Sequence, residues 1–400
     1  MTRVVTVALP ADLGSRLIDL APANSNVFIR GDQGLIGWGE AKRFEASGAN
    51  RIQQLAASWR EYVADLEISD SKNVPGSGPV AFGTIAFADD SAAKSVLIMP
   101  KVVIGKRDDR YWITTVDNAT LPEVTELGNN PAVSVGVGRL DREEFAELVD
   151  RAVAMIQEGS LEKVVLARDL VAELPEGFDL RPALNRLLNR FPSCWVYSVD
   201  GMFGASPELL VRVSHSQVSA RVLAGTAARG TDPSVDLAIS KALAESHKNL
   251  AEHEFAVRSL VNALEPFCDH VDADTQPFSL QLPNLWHLAS DVHGVLKSEG
   301  SVLDLASALH PTAAVAGTPR REALALIEEL EPFDRGRYAG PVGWIGADGD
   351  GEWVIALRGA QIEGNQLTAF AGCGVVSESD GQSELTETDL KFQPILGSLA

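Results

Sequence analysis

The chain has 400 residues, 45% of them hydrophobic, and a formal net charge of −21. Such a chain can bury a large core, either as one large domain or as two ordinary ones. The negative charge repels nucleic acids and anionic membranes, so we expect neither as a partner. Its 3 cysteines are too few and too scattered for a disulfide framework, and no apolar run approaches the roughly 20 residues of a membrane helix. We therefore expect a soluble cytoplasmic protein.

The first third of the chain is rich in predicted strands. Segments of β-branched and aromatic residues between turn clusters predict strands at Val27–Ile29, Leu35–Gly39, Val80–Phe87, Ser95–Met99, Lys101–Ile104 and Arg110–Thr115. Between residues 116 and 138 the sequence has no clear helical or strand period, and we interpret this segment as the linker. We divide the chain there into an N-terminal strand-rich part, residues 1–120, and a second region, residues 139–400, and expect both to belong to one integrated domain.

Helices and strands alternate in the second region. An apolar stripe predicts a helix that ends at Gly159; its members are Phe145, Leu148, Val149, Ala152 and Ile156. Further patterns predict a strand at Glu162–Arg168, a hairpin-like pair around Met202–Val213, one long helix from about Ser234 to Glu265, and strands at Gly343–Gly346 and Trp353–Leu357. The Asp/Gly run between the last two strands fits a hairpin turn far better than a calcium loop.

Lys163 is the first residue of interest for chemistry. It lies in a β-branched segment, on the same strand face as Val165 and Ala167. In one interpretation, its apolar stem packs along the strand and its ammonium reaches water. In the other, the side chain is desolvated, which favours the neutral amine and allows general-base catalysis. The residues alone leave both interpretations open.

Three further segments could recognise or transform an anionic ligand. Glu208 follows a turn at 204–207 that can present a carboxylate into a cleft, although a glutamate in a loop is also ordinary. The small residues 223–227 form a turn whose backbone N–H groups can approach a carboxylate closely. Arg358 follows the apolar segment Trp353–Leu357, and an arginine in such a place normally has an anionic partner.

The last thirty residues place charged side chains on one helical face. Glu384, Glu387 and Lys391 are spaced at i, i+3 and i+7, and such a set suits an oxygen-liking cation such as Mg²⁺ with an anionic ligand. A solvated acidic helix end has the same composition. On the predicted long helix, Asn249 and Glu252 lie one turn apart, where a glutamate is usually a surface residue.

In chain order, these segments resemble the chorismate-utilising enzymes, and within that family most closely the isochorismate synthases. The matching stretches are Glu162–Arg168, Gly204–Leu210, Leu223–Thr226, Lys248–His253, His310–Thr312, Gly317–Arg320, Tyr338–Trp344, Ala356–Ala360 and Ala371–Lys391. They fall within roughly residues 140–400, and their joint order and spacing make the resemblance specific. The N-terminal third matches only in general character. The sequence lacks the Walker, Gly-x-Ser-x-Gly and His-Glu-x-x-His patterns of nucleotide-binding proteins and hydrolases.

The resemblance implies an α+β fold in which two pseudo-symmetric halves pack large antiparallel sheets face to face, with helices outside. It implies an isomerase that adds water at C2 of chorismate while the C4 hydroxyl leaves, with Mg²⁺ and without a redox cofactor. Lys163 would be the general base that activates water, and Glu208 the general acid that protonates the departing hydroxyl. These roles require a neutral lysine and a protonated glutamate at the moment of reaction.

The resemblance also implies which residues hold the substrate. Glu252 and Glu387 would bind Mg²⁺ directly, whereas Glu384 and Asn249 would act through water. The family most often has Asp or Glu at the position of Asn249, so this chain carries one negative charge fewer there. Arg358 would hold the enolpyruvyl carboxylate. The other implied substrate-binding residues are Gly225, Thr226, His287, Ala314, Tyr338, Gly374 and Lys391; a hydrogen-bonded core histidine is the alternative interpretation of His287.

Related activities differ at a few positions. Ammonia-using anthranilate synthases have Gln in place of Lys163 and work with a glutaminase partner, so we expect water as the nucleophile and no glutaminase subunit. Aminodeoxychorismate synthases have a lysine at the position of Ala224. Salicylate synthases, which make isochorismate and then eliminate pyruvate, tend to have Thr at the position of Ala314, although Tyr338 and Leu357 resemble their version.

We therefore expect an isochorismate synthase that supplies menaquinone or siderophore biosynthesis, with salicylate synthase as the alternative. A non-catalytic, chorismate-binding regulatory protein is a remote third interpretation, because the candidate acid, base and metal ligands are all present. The sequence shows no evident apolar dimer stripe, so we expect a monomer.

Overall fold

The structure, a computed structural model, describes residues 1–10, 16–120, 123, 125–128, 130, 132–159, 161–283, 285–297 and 300–400, without the side chains of Lys248 and Glu252. Five residues of the predicted linker thus lie outside the described residues: Leu121, Pro122, Val124, Asn129 and Pro131. The side chain of the predicted metal ligand Glu252 does so as well.

The described strands form two large sheets. The strands of the first sheet, in the order in which they pair, are β10 (Val135–Val137), β11 (Lys163–Glu173), β23 (Gln366–Val375), β22 (Gly359–Glu363), β13 (Met202–Ser206), β12 (Trp195–Val199), β2 (Asn26–Arg30), β3 (Gln33–Trp38), β8 (Val102–Arg107), β9 (Arg110–Val116), β1 (Arg3–Leu9) and β5 (Glu67–Asp70), and β19 (Gly317–Thr318) also pairs with β11.

The strands of the second sheet are β16 (Cys268–Ala273), β18 (Leu285–Leu296), β15 (Gln217–Ala228), β14 (Leu209–Ser214), β21 (Gly351–Ile355), β20 (Pro341–Gly346), β6 (Val80–Thr84), β7 (Ser95–Met99) and β4 (Lys42–Ala46), and β17 (Phe278–Gln281) also pairs with β18. Strands from residues 1–120 and from residues 139–400 are hydrogen-bonded to each other in both sheets.

Helices cover the outer faces. The described helices are α1 (Arg51–Ala64), α2 (Arg142–Gln157), α3 (Arg181–Arg190), α4 (Pro233–Glu245), α5 (His247–Leu264), α6 (Val302–Leu309), α7 (Arg320–Leu330) and α8 (Gly381–Leu399), with a short 3₁₀ helix at Leu17–Leu20. Helices α1, α5 and α6 pack on the second sheet, and α3 and α8 pack on the first. Within the described part of the chain, every helix is too short or too polar to cross a membrane.

The two sheets pack face to face through an aromatic core. Phe28 and Trp195 from the first sheet lie in one buried cluster with Phe82 and Trp344 from the second. Burying each such side chain contributes about 1.5–3 kcal/mol, which makes this layer a main source of stability. The predicted fold class is confirmed, with one addition: β1 and β5 pair in parallel, so the first sheet is mixed.

Two local predictions are wrong. The predicted hairpin at Met202–Val213 is instead a crossover, because β13 belongs to the first sheet and β14 to the second. The predicted long helix is two helices, α4 and α5, which meet at Ser246. Ser246 has extended backbone, and its hydroxyl accepts a hydrogen bond from the N–H of Asn249, so this serine caps α5. The Asp/Gly run does form the predicted hairpin turn, between β20 and β21.

Candidate active site

A cavity of about 280 Å³ lies where the chain crosses between the two sheets. Every predicted site residue except Glu252, whose side chain the structure does not describe, lines this cavity: Lys163, Glu208, Gly225, Thr226, Asn249, His287, Ala314, Tyr338, Arg358, Gly374, Glu384, Glu387 and Lys391. Residues more than 200 positions apart in the chain therefore meet in one place.

Glu208 lies on the crossover from β13 to β14, directly after Pro207. Its backbone N–H donates to Oγ of Ser206 at 3.2 Å, and its carbonyl accepts from the N–H of Ile355 at 3.2 Å, so both sheets hold it. The residue is only 5% exposed. Burial raises the pKa of the Glu208 carboxyl to about 7, against the opposing charges of Arg358, Lys163 and Lys391. The carboxyl can therefore carry a proton near neutral pH.

Arg358 lies on a second crossover, from β21 to β22. The predicted strand Trp353–Leu357 ends earlier, at Ile355, and Arg358 itself has a left-handed backbone with φ of 50°. Its carbonyl accepts from the N–H of Ala205 at 3.2 Å, which ties the turn to β13. Burial lowers the pKa of Arg358 from its usual value. A left-handed non-glycine residue is a strained feature of the kind that concentrates at functional sites.

Lys163 begins β11, at the edge of the cavity. It pairs with Thr318 of β19, and the neighbouring Val165 pairs with Gly374 of β23. A Cβ at position 374 would lie 2.7 Å from Cε of Lys163 and 3.3 Å from its Nζ. Glycine at this position therefore leaves the space that the end of the lysine side chain occupies.

A β-bulge brings Gly225 and Thr226 into the cavity. The register of β15 against β18 shifts between Leu223 and Thr226, and Gly225 has a φ of 89°. Such bulges often lie beside active sites, where they redirect the chain. The side chain of His253 on α5 holds this segment, because its Nδ1 lies 3.2 Å from the carbonyl oxygen of Ala224.

His287 lies opposite Thr226 across the bulge. Its Nδ1 is 3.0 Å from Oγ1 of Thr226, whereas its Nε2 is buried and has no hydrogen-bond partner among the described residues. Burial, together with the charges of Arg358 and Lys391, lowers the pKa of His287 to about 3, so the imidazole is neutral at pH 7. His287 thus differs from a fully hydrogen-bonded core histidine, because one of its ring nitrogens has no partner among the described residues.

The charged face of α8, with Glu384, Glu387 and Lys391, forms another wall of the cavity. Nζ of Lys391 donates to the carbonyl of Gly372 at 2.7 Å and to Oε1 of Glu387 at 2.5 Å. Burial alone would raise the pKa of Glu387, but the Lys391 ammonium lowers it below its usual value. Burial and the negative charge of Glu387 raise the pKa of Glu384. This face is partly buried in the cavity, which differs from a solvated helix end.

The donor chemistry of this wall fits a hard divalent cation. Glu384 and Glu387 bring two carboxylates together in a half-buried place, and Asn249 adds an amide from α5. Two neighbouring carboxylates repel each other unless a proton or a cation lies between them. The described residues contain no group of three or more His, Cys, Asp or Glu side chains arranged around a metal position.

Two lining residues with polar side chains, Ser379 and Arg335, were not predicted from the sequence as site residues. Oγ of Ser379 donates to Oε1 of Glu384 at 2.8 Å and so orients that carboxylate. Arg335 is buried in an ion pair with Glu331 and donates to the carbonyl of Val165 at 2.6 Å, which stiffens the wall beside Lys163. In the sequence, Ser379 has the pattern of an ordinary residue before a helix, and Glu331 and Arg335 that of an exposed i, i+4 pair.

Comparisons with known proteins bear on the family to which the chain belongs. The family model described as "Chorismate binding enzyme" matches residues 19–127 and 123–400. The Mycobacterium tuberculosis protein named "Putative isochorismate synthase MenF" is 37% identical over 361 residues, which cover 86% of this chain and 93% of that protein. The isochorismate synthase DhbC of Bacillus subtilis is 32% identical, covering 89% of this chain and 88% of that protein.

A solved structure extends the likeness to the fold. The menaquinone-specific isochorismate synthase MenF of Escherichia coli superposes with a TM-score of 0.81 at 23% identity, covering 100% of this chain and 94% of that one. At this identity, the likeness bears on the fold alone. With the match of the family model over nearly the whole chain, it follows that the chain belongs to the chorismate-binding enzyme family.

Proposed function

We propose that the protein is an isochorismate synthase, an isomerase that converts chorismate to isochorismate. The observation that carries this proposal is the buried Glu208, whose pKa of about 7 makes it a proton donor in a cavity also lined by Lys163. The named isochorismate synthases among the relatives support the same reaction.

In this proposal, Lys163 and Glu208 work as a pair. Lys163, as the neutral amine, takes a proton from a water molecule whose oxygen bonds to C2 of the ring. Glu208 gives its proton to the C4 hydroxyl, which leaves as water while the ring double bonds shift between the two carbons. One water enters and one leaves, so the reaction needs no oxidant or reductant. General acid–base catalysis of this type typically contributes about 10²–10⁴-fold in rate.

The remaining lining residues match the two carboxylates of chorismate. Arg358, with the hydroxyl of Tyr338 and the N–H of Gly374, would bind the enolpyruvyl carboxylate, because a guanidinium presents paired donors to a planar anion. Burial raises the pKa of Tyr338 to about 12, so its hydroxyl remains a donor. Lys391 would lie near the ring carboxylate.

The neutral side of the cavity would position the ring. The open Nε2 of His287 is suited to one hydrogen bond with the substrate, and Gly225 and Thr226 line the wall beside it. The small side chain of Ala314 completes this wall.

We also propose Mg²⁺ as the cofactor. Glu387 and Glu252 would bind it directly, and Glu384 and Asn249 would act through water. Bound there, the ion would neutralise the ring carboxylate. Isothermal titration calorimetry with Mg²⁺ alone tests this assignment: we expect binding about 10–100-fold weaker in E387Q. The matched control is E328Q, at an exposed glutamate on α7. Equal affinity in E387Q and the unaltered protein would contradict the assignment.

The activity is tested by incubating the purified protein with chorismate and Mg²⁺ and separating the products by chromatography, with and without EDTA. We expect isochorismate beside residual chorismate, no product with EDTA, and almost none from K163A or E208Q. Salicylate with pyruvate would identify a salicylate synthase instead. Chorismate that binds but is not consumed would favour a regulatory protein.

We further propose that the enzyme works as a monomer in the cytoplasm without a glutaminase subunit. Lys163, in place of the glutamine of ammonia-using relatives, supports water as the nucleophile. Light scattering coupled to size-exclusion chromatography measures the oligomeric state directly, and a dimer mass would overturn that part of the proposal.

A further inference from the structure

A second cavity, of about 350 Å³, lies between the sheets, and it shares no lining residue with the first. The β2–β3 turn, the start of β12 and strands β14, β20 and β21 surround it. Arg30, Arg107 and Arg212 line it, against one carboxylate among the described lining residues, Glu352. In a chain with a net charge of −21, three arginines around one cavity form a local positive region.

Glu352 cannot balance this charge. Its Oε1 accepts a hydrogen bond from Nε1 of Trp195 at 2.8 Å, and NH1 of Arg212 lies 3.8 Å from the same oxygen. A single carboxylate offsets at most one of the three guanidinium groups. The cavity is therefore short of negative charge.

Arg30 is held by a backbone carbonyl and an aromatic ring, and it forms no ion pair among the described residues. Its Nε donates to the carbonyl of Ser193 at 3.1 Å, and its guanidinium carbon lies 4.2 Å from the ring centroid of Trp195. Burial lowers the pKa of Arg30, and the positive charges of Arg221 and Arg212 lower it further, against the opposing charge of Glu352. A bound anion would relieve this repulsion.

Arg107 adds a second observation, a buried donor without a hydrogen-bond partner among the described residues. Its Nε is buried and has no hydrogen-bond partner among the described residues. Asp350, a carboxylate close enough to feel the charge of Arg107, already accepts from the backbone N–H of His215 at 2.7 Å through Oδ2. Buried donors of charged groups are almost always hydrogen-bonded, so the described residues leave the guanidinium of Arg107 incompletely satisfied.

We propose that this cavity binds a small organic anion. Its oxyanion group, a carboxylate or a phosphate, pairs with the three arginines, because the planar guanidinium matches both groups with paired hydrogen bonds. Its apolar part packs against Phe28 and Trp344, which also line the cavity. The site is independent of the proposed isomerase reaction, because none of its residues belongs to the cavity that contains Glu208.

Isothermal titration calorimetry on the full chain tests this proposal with two probes, inorganic phosphate and benzoate, which separate the two sources of the oxyanion. We expect one of them to bind with one-to-one stoichiometry, and R107Q to weaken that binding about tenfold or more. The matched control is R110Q, because Arg110 pairs with Arg107 across the β8–β9 turn but is 61% exposed in its side chain.

Two further variants complete the design. R358Q, in the first cavity, should leave the affinity for the probe unchanged. If R107Q does not fold, R212Q replaces it, since the side chain of Arg212 is 36% exposed and tolerates substitution more easily. The proposal is overturned if neither probe binds, if both R107Q and R212Q bind the probe as the unaltered protein does, or if R358Q abolishes the binding.

Discussion

Glu208 shows how burial can outweigh neighbouring charges. Arg358, Lys163 and Lys391 each favour its ionised form, yet burial dominates and raises its pKa to about 7. A carboxyl with this pKa is protonated in part of the population at neutral pH, as a general acid requires. The position of Glu208 on a buried crossover between the sheets thus sets the pKa of its carboxyl.

The ionisation of Glu208 predicts the pH dependence of the reaction. The Glu208 carboxyl can donate only while it is protonated, and it ionises above about pH 7, whereas Lys163 can accept a proton only as the neutral amine, which becomes more frequent as pH rises. The two ionisations act on kcat/KM in opposite directions, so the slope of log(kcat/KM) against pH should fall by about one as pH rises through about 7. E208Q should lower kcat by about 10²–10⁴-fold. A pH series of initial rates measures both. H287N is the control, since the pKa of His287 is lowered to about 3 and cannot cause this fall. A fall that disappears in H287N would contradict the assignment.

The close packing of Gly374 against Lys163 leads to a second prediction. In G374A, the new methyl group would lie 2.7 Å from Cε of Lys163, so the flexible end of the lysine must move away. We expect kcat to fall at least tenfold, as a displacement of the general base requires, while the thermal unfolding midpoint changes little. The control is G136A, whose Cβ meets only the carbonyl of Val171 at 3.8 Å. Unchanged kcat in G374A would show that Lys163 is not placed as proposed.

Three irregularities in the strand pairing build the site: two crossovers between the sheets and one β-bulge. The crossover from β13 to β14 presents Glu208, the crossover from β21 to β22 presents Arg358, and the bulge in β15 presents Gly225. Each occurs where regular pairing stops, so a side chain or a backbone N–H can face the cavity instead of a neighbouring strand. Regular strands on either side hold these irregular segments in position.

The bulge predicts separate effects on stability and activity. G225A forces a residue with a Cβ into a φ of 89°, which costs about 1–2 kcal/mol in the free energy of unfolding, and places that Cβ 3.4 Å from Cβ of Asn249. G48A is the matched control, because Gly48 has a φ of 86° with no atom within 4 Å of the added Cβ. Denaturant unfolding should show a similar loss in both variants, whereas chorismate turnover should fall only in G225A. Equal turnover in both would contradict a role of the bulge in the site.

Residues 1–120 and residues 139–400 are interleaved in both sheets. In the first sheet β12 pairs with β2, and in the second sheet β20 pairs with β6, so each sheet joins a strand from residues 1–120 to one from residues 139–400. Removing residues 1–120 would expose the hydrophobic edges of β12 and β20, and removing residues 139–400 would expose those of β2 and β6. The aromatic layer between the sheets would also lose half of its side chains.

This interleaving predicts cooperative unfolding. Far-ultraviolet circular dichroism and tryptophan fluorescence should report one coincident transition in urea, because neither part keeps a complete sheet without the other. A fragment of residues 139–400 should lack the native near-ultraviolet spectrum. Two separated transitions, or a folded fragment, would show that the two parts are independent domains.

The two predictions that failed have different physical causes. Alternating residues identified the strands β13 and β14, but not their pairing. β13 forms a hairpin with β12 and β14 forms one with β15, and the second partners of the two strands, at Ala360 and Trp353, lie in different sheets more than 140 residues away. The break between α4 and α5 depends on the single residue Ser246, whose extended backbone ends the first helix and whose side chain caps the second.

Helical spacing in the sequence predicted the charged face of α8, because spacing is a property of neighbouring residues. The class of the fold and the candidate acid and base were implied by the resemblance of ordered motifs to the chorismate-utilising enzymes. The desolvation of Glu208 is visible only in the tertiary structure. The same holds for the Nε2 of His287, which has no partner among the described residues, and for the second cavity lined by Arg30, Arg107 and Arg212. Desolvation and uncompensated charge depend on residues that only the packed sheets bring together, which a local pattern does not record.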